Sequence, residues 1–155
     1  MYIQMMHKRV KVADEFIIFL LDHGVDALKP NLDGNPILHW AVKEKRVDLV
    51  TRLLKRCINP LKLNRRAQTP FCVAVDVGNY QLANILPSNF DMDHKRGVHL
   101  LTLSASRGNV EIVRLLLSRG AELNPEPRLV CEDLKLCPIA AAFRHENVME
   151  ILLEA

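Results

Sequence analysis

The sequence predicts an all-α fold in which short helix-turn-helix pairs stack into an α-solenoid of about four repeats. Segments 15–33 and 48–66 align without a gap at an offset of 33 residues, so that their leucines superpose. All six glycines also fall at one of three points of this repeat. Because a pair of short amphipathic helices cannot bury both apolar stripes alone, stacked copies would supply the hydrophobic core.

The first copy, residues 1–30, has an irregular beginning. In the 33-residue register, Lys8 takes the position of a small buried alanine and Val12 takes the position of a turn glycine. The opening helix is therefore expected to be a polar cap or a cut through a longer array. An apolar helix follows and ends before Gly24.

The second and third copies, residues 31–63 and 64–93, repeat the pattern with Asn64 in the place of Asn31. Glycine suits the turns because it adopts positive φ without steric cost. Three equivalent turn positions lack glycine, and these turns are expected to be less ideal. Those positions hold Lys45, Cys57 and Ala67.

The fourth copy, residues 94–126, resumes three residues early, because Ser104 corresponds to Ala74 at an offset of 30. Gly97 is expected before its first helix, Gly108 between its helices and Gly120 after the second.

The last copy, residues 127–155, completes a predicted single domain of residues 1–155. Its second helix contains Val148 and Ile151, but its first helix can be registered at residue 136 or two residues later. The preceding loop, 125–135, contains two prolines and should be extended. It is either an enlarged binding surface or an ordinary insertion.

Together these features resemble the ankyrin repeat, a β-turn followed by two antiparallel helices with a TPLHxA signature. Related hexapeptides stand at 36–41 (PILHWA), 69–74 (TPFCVA) and 99–104 (HLLTLS), and only the second keeps Thr-Pro. The resemblance covers about residues 15–155. It implies a noncatalytic scaffold for protein–protein interaction.

Composition places further bounds on the function. A net charge of +3 is modest, and the four cysteines form no CxxC pair. No apolar run reaches the roughly 20 residues that span a bilayer. We expect a monomeric intracellular protein of the cytoplasm, with the nucleus also open, that uses no cofactor.

The candidate chemical groups favour structural roles. The resemblance implies that His39 hydrogen-bonds to backbone and braces neighbouring repeats. Cys131, Cys137 and His145 lack the spacing of metal ligands, and no catalytic motif occurs. Trp40, the single tryptophan, is expected to pack between repeats rather than to face a ligand.

The resemblance also implies a partner-binding concave face formed by the turns and by the exposed ends of the first helices. The corresponding positions in this sequence are Asp33, Asn35, Lys43, Glu44, Arg65, Arg66, Gln68, Asp76, Lys95, Arg96, Val98, Ser106 and Arg107.

Arg65, Arg66, Lys95 and Arg96 should form a basic row on two adjacent turns, with Arg107 behind it. Arginine binds carboxylate and phosphate groups bidentately, so the row suits an acidic or phosphorylated segment of a protein partner. The row is alternatively a solvated face that keeps the array soluble. Two other functions remain open, a targeting or inhibitory part of a larger enzyme or effector and direct binding of nucleic acid. The scarcity of aromatic residues beside the charges argues against the latter.

Overall fold

A computed structural model describes residues 13–24, 26–27, 29–88, 94–121 and 145–154. Within these ranges the chain forms eight helical segments and no β-strand. The predictions for the opening helix, for loop 125–135 and for the first helix of the last copy fall outside them. The helices are α1 (13–22), α2 (Ile37–Lys43), α3 (Val47–Lys55), α4 (Pro70–Asp76), α5 (Tyr80–Ile85), α6 (His94–Ser106), α7 (Val110–Ser118) and α8 (Glu146–Glu154).

The helices form two stacked rows. In one row α4 contacts both α2 and α6, and in the other α5 contacts both α3 and α7, which also contacts α8. Each first helix packs against the second helix of its own repeat, as α2 does with α3, α4 with α5 and α6 with α7. This arrangement confirms the predicted all-α solenoid.

The same backbone hydrogen bond closes the turn between the two helices in three successive repeats. The amide of Arg46 donates to Ala41 O at 2.9 Å, and the amide of Asn79 donates to Ala74 O at 3.0 Å. In the next repeat, Asn109 N donates to Ser104 O at 3.0 Å. The predicted offsets of 33 and 30 residues are therefore correct.

The turns without glycine keep the backbone conformation that glycine would favour. Lys45, Cys57 and Ala67 each have φ of +55°, and in the described part of the chain they are the non-glycine residues with positive φ. Gly34, which is equivalent to Ala67 one repeat earlier, has φ of +80°. The turn shape is thus retained at a conformational cost, because an L-residue is disfavoured in the left-handed region.

The core follows the predicted periodicity. Leu38, Phe71 and Leu101 occupy equivalent positions of three first helices, and each is at most 1% exposed. Trp40 is partly buried and packs against this core. Burial of these apolar side chains is the main favourable contribution to folding.

The fourth copy begins differently from the prediction. Helix α6 starts at His94, so Lys95, Arg96 and Gly97 lie within its first turns instead of in a β-turn. The preceding copy begins its helix with Thr69 as N-cap and Pro70 at the first helical position. The equivalent positions in α6 are His99 and Leu100, which neither cap nor break a helix, so the helix extends toward its N-terminus.

Candidate functional site

Two stacked turns form the surface predicted to bind a partner. In the first, Asn31 N donates to Asn35 O at 2.9 Å, and in the second, Asn64 N donates to Gln68 O at 3.0 Å. Each opening asparagine also accepts, through its side-chain oxygen, the amide of the residue four positions later, both at 2.9 Å. Such Asx hydrogen bonds fix the turn without help from neighbouring helices.

Direct contacts join the two turns. Asn64 Nδ2 donates to Asn35 Oδ1 at 2.9 Å, and Arg65 N donates to Gly34 O at 3.2 Å. The aliphatic stem of Arg65 crosses Gly34 so closely that a Cβ there would lie 2.4 Å from Arg65 Cδ. The backbone under Arg65 is therefore held by the preceding repeat.

His39 braces the same two repeats, as the resemblance implies. Its Nε2 lies 2.9 Å from Gln68 O, and because a carbonyl can only accept, Nε2 carries the proton. Burial lowers the pKa of His39, an effect partly opposed by the carbonyls of Gln68 and Lys62. The neutral imidazole is thus a structural donor beneath the turn surface.

Ion pairs neutralise most of the other charges predicted for the surface. Lys43 Nζ lies 3.6 Å from Asp33 Oδ2. Arg107 donates to Asp76 Oδ1 at 3.0 Å and also to the carbonyl oxygen of Asp76. Arg107 is therefore engaged with the preceding repeat, while Glu44 is exposed just after α2.

Arg65 and Arg66 carry the remaining positive charge of the second turn. Both side chains are exposed, and neither forms an ion pair with another described residue. Their backbone is fixed, since Arg66 N donates to Asn64 Oδ1 at 2.9 Å. Two guanidinium groups on a rigid turn are suited to carboxylate or phosphate ligands.

The other predicted surface residues fall into different settings. Val98 is only 4% exposed, so its predicted place on the open surface is wrong. Lys95 and Arg96 belong to helix α6, so they do not form another turn beside that of Arg65 and Arg66. Ser106 donates to Leu103 O at 2.9 Å within its own helix.

The groups considered for metal binding have other contacts or fall outside the described ranges. His145 Nε2 lies 3.1 Å from Ser106 O, which makes it another link between repeats. Cys72, which is not one of these candidates, is buried as a free thiol and accepts a hydrogen bond from Thr69 at 3.2 Å. Cys131 and Cys137 are not described.

Two features were not predicted from the sequence, the role of Asn31 and Asn64 in closing the turns and a groove beside Trp40. Asn31 and Asn64 shape the turns, and their recurrence at one repeat position was the available signal. The second feature is a groove of about 430 Å³ beside Trp40, lined by side chains of α1, α2 and the connecting loop. No local motif indicates it, because its walls come from segments that meet only in the fold.

In the part of the chain that the structure describes, no helix has the length and hydrophobicity of a membrane-spanning segment.

Comparison with known proteins identifies the repeat. The family profile described as "Ankyrin repeats (3 copies)" matches residues 6–96 and 71–155. Three curated relatives carry the name "Ankyrin repeat, SAM and basic leucine zipper domain-containing protein 1". The proteins from Carollia perspicillata and Mustela putorius furo are each 31% identical over 141 residues, which cover 84% of this chain and 29% of the relative. The protein from Dasypus novemcinctus is 30% identical over 135 residues, covering 81% of this chain and 27% of the relative. The chain thus spans less than a third of the length of these relatives.

Proposed function

The chain belongs to the ankyrin-repeat family, and we propose that it is a noncatalytic module that binds a partner protein through its turns and first helices. Ankyrin repeats generally mediate protein–protein interaction, and a stacked array supplies an extended surface. The partner contributes an acidic or phosphorylated segment that lies across the second turn.

The observation that supports this assignment most is the state of Arg65 and Arg66. Asp33 and Asp76 on the same surface have cationic partners, whereas these two arginines have no ion pair with a described residue. Their turn is held by the side chain of Asn64 and by the preceding repeat. A preformed site of this kind loses little conformational entropy on binding.

Lys95 and Arg96 remain candidates for the same interaction. They lie in the first turn of α6, at the repeat positions equivalent to Arg65 and Arg66.

Charge reversal tests the proposal. The variant Arg65→Glu/Arg66→Glu should lose at least about tenfold in affinity for the partner, which corresponds to about 1.4 kcal/mol. The melting curve should stay nearly unchanged, because both side chains are exposed. Partners are captured from a native lysate with the tagged chain, identified by mass spectrometry and titrated by calorimetry.

Arg52→Glu/Arg114→Glu is the matched control. These arginines are also exposed but lie on α3 and α7, and the net charge changes by the same amount. If both double variants weaken binding equally, only the overall charge matters and the turn is not the site.

A second candidate function follows from the partial coverage of the relatives. Because the chain matches less than a third of their length, we also propose that it can serve as the targeting or inhibitory part of a longer protein. The full-length open reading frame decides this point.

Nucleic acid is tested as a competing ligand. Titration with mixed DNA and RNA at low salt should show no binding, since exposed Tyr80 lies on α5 and not beside the turn arginines. Binding that disappears in Arg65→Glu/Arg66→Glu would replace the protein-binding proposal.

A further inference from the structure

One leucine projects from the first turn into solvent. Leu32 lies at the tip of the turn between Asn31 and Asn35, and its side chain is fully exposed. The turn beneath it is fixed, because Gly34 N donates to Asn31 O and Asn35 N donates to Asn31 Oδ1, both at 2.9 Å. Turn positions usually hold small or polar residues, and an exposed leucine adds no buried apolar area to the fold. Folding therefore does not account for the side chain of Leu32.

Leu32 and Arg65 belong to one continuous surface. Arg65 N donates to Gly34 O at 3.2 Å, and the aliphatic stem of Arg65 lies against Gly34. Since Leu32 is two residues from Gly34, the Cα atoms of these two residues are at most about 7 Å apart. An apolar side chain and a cation without an ion pair to another described residue therefore lie side by side on adjacent turns.

The carboxylate next to Leu32 leaves the positive charge of this surface in place. Asp33 Oδ2 lies 3.6 Å from Lys43 Nζ, so its charge is balanced within the first repeat. Arg65 and Arg66 then supply the charge that the two turns present to a partner.

Stacking of repeats does not cover the position of Leu32. Arg65 is the equivalent residue one repeat later, and it is exposed although the first turn stacks against its backbone. In the same register, residues 1–12 correspond to 34–45, which follow the turn tip. The exposure of Leu32 is accordingly a property of its place in the repeat.

We propose that Leu32 is the apolar anchor of the partner interface, and that it enters an apolar recess bordered by the acidic groups that contact Arg65 and Arg66. The inference rests on the proposed function and specifies the binding surface of the partner. A side chain that projects from a rigid turn is desolvated only by a surface that surrounds it, and anchors of this kind in well-packed pockets dominate many interfaces. The recess therefore belongs to a folded surface of the partner and not to a short extended peptide.

An anionic membrane matches these features less well. One leucine is a much smaller apolar group than a myristoyl chain, which alone gives only marginal membrane binding. The two cations beside Leu32 add a modest attraction to anionic lipids. A protein recess, by contrast, encloses the same side chain completely.

The experiment uses the full chain and the purified partner that its capture identifies. Leu32→Ser should weaken binding at least about fivefold in calorimetric titration, because the leucine is no longer buried in the complex. The heat-capacity change of binding should become less negative, since less apolar area is removed from water. The melting curve should not change, because the side chain is fully exposed in the free chain.

Two further variants separate anchoring from general effects. Leu153→Ser is the matched control, because Leu153 is also exposed but lies on α8, and this variant should bind as the wild type does. Leu32→Met keeps an apolar side chain of similar volume and should retain most of the affinity.

Several results would overturn the inference. If Leu32→Ser binds as tightly as the wild type while Arg65→Glu/Arg66→Glu does not, Leu32 is not an anchor and the proposed function stands. If neither variant loses affinity, or if the wild type captures no partner, both proposals are wrong. Cosedimentation with phosphatidylcholine vesicles containing about 30 mol% phosphatidylserine that is lost in Leu32→Ser would assign Leu32 to a membrane surface. Self-association in sedimentation velocity that is lost in the same variant would assign it to a second copy.

Discussion

At the scale of single residues, the left-handed turn positions are the clearest test of the repeat. Ala67 is exposed and adopts φ of +55°, a region in which an L-residue costs roughly 1–2 kcal/mol. Ala67→Gly should therefore raise the free energy of unfolding by about 0.5–1 kcal/mol, after the entropy that glycine loses on folding is subtracted. Urea denaturation measures this change.

Gly34→Ala provides the opposite change at the equivalent position. The substitution should destabilise the protein by at least about 1 kcal/mol, because φ is +80° and the new Cβ would lie 2.4 Å from Arg65 Cδ. Equal and small effects of both substitutions would contradict the conformational argument.

His39 links stability to pH. Burial lowers the pKa of His39 below the ordinary value of about 6.5. Just below pH 6.5, His39 is therefore protonated more readily in the unfolded chain than in the folded chain. The stabilisation is complete above about pH 6.5 and decreases as the pH falls toward the folded-state pKa. When the pH falls from 7.5 to 5, the melting temperature of the wild type should decrease more than that of His39→Gln.

The control for this pH effect is His99→Gln, since His99 is exposed on α6. That variant should retain the pH dependence of the wild type. An identical loss in the wild type and in His39→Gln would exclude His39 as its source.

At the scale of the helices, α5 depends on a residue from the next repeat. Arg119 donates to Leu86 O and Asn84 O, each at 2.7 Å, and to Ala83 O at 3.1 Å. Its guanidinium also lies 5.3 Å from the ring centroid of Phe71. One side chain thus satisfies the carbonyls at the end of a six-residue helix.

Arg119→Ala should consequently lower the free energy of unfolding by about 2–3 kcal/mol, because hydrogen bonds to a charged donor are lost and partly buried carbonyls are left unpaired. Chemical denaturation measures the loss. Arg114→Ala, at an exposed position of α7, should change stability by less than about 0.5 kcal/mol. If the two variants are equally stable, Arg119 is not the cap of α5.

The beginning of α6 marks a limit of prediction from repeat alignment. Alignment placed Gly97 in a turn because Gly34 and Ala67 occupy that position. The first residue of α6 depends instead on the absence of a Thr-Pro pair, because a helix extends toward its N-terminus where no N-cap residue or proline stops it. Local start signals therefore outweighed the glycine register at this point.

At the scale of the whole molecule, periodicity was sufficient for the fold but not for the details of the site. The offsets of 33 and 30 residues assigned Leu38, Phe71 and Leu101 to one layer of the core. The ion pairs of Asp33 and Asp76 could not be predicted, because they depend on side-chain geometry across the surface. The groove at Trp40 likewise requires the relative placement of α1, α2 and their loop.

The central claim is that the partner lies on the turns, and hydrogen–deuterium exchange with the captured partner tests it most directly. Turns 31–35 and 64–68 should gain protection in the complex, while the second helices α3, α5 and α7 should exchange as in the free chain. Protection confined to α3, α5 and α7, with no change in either turn, would contradict the account.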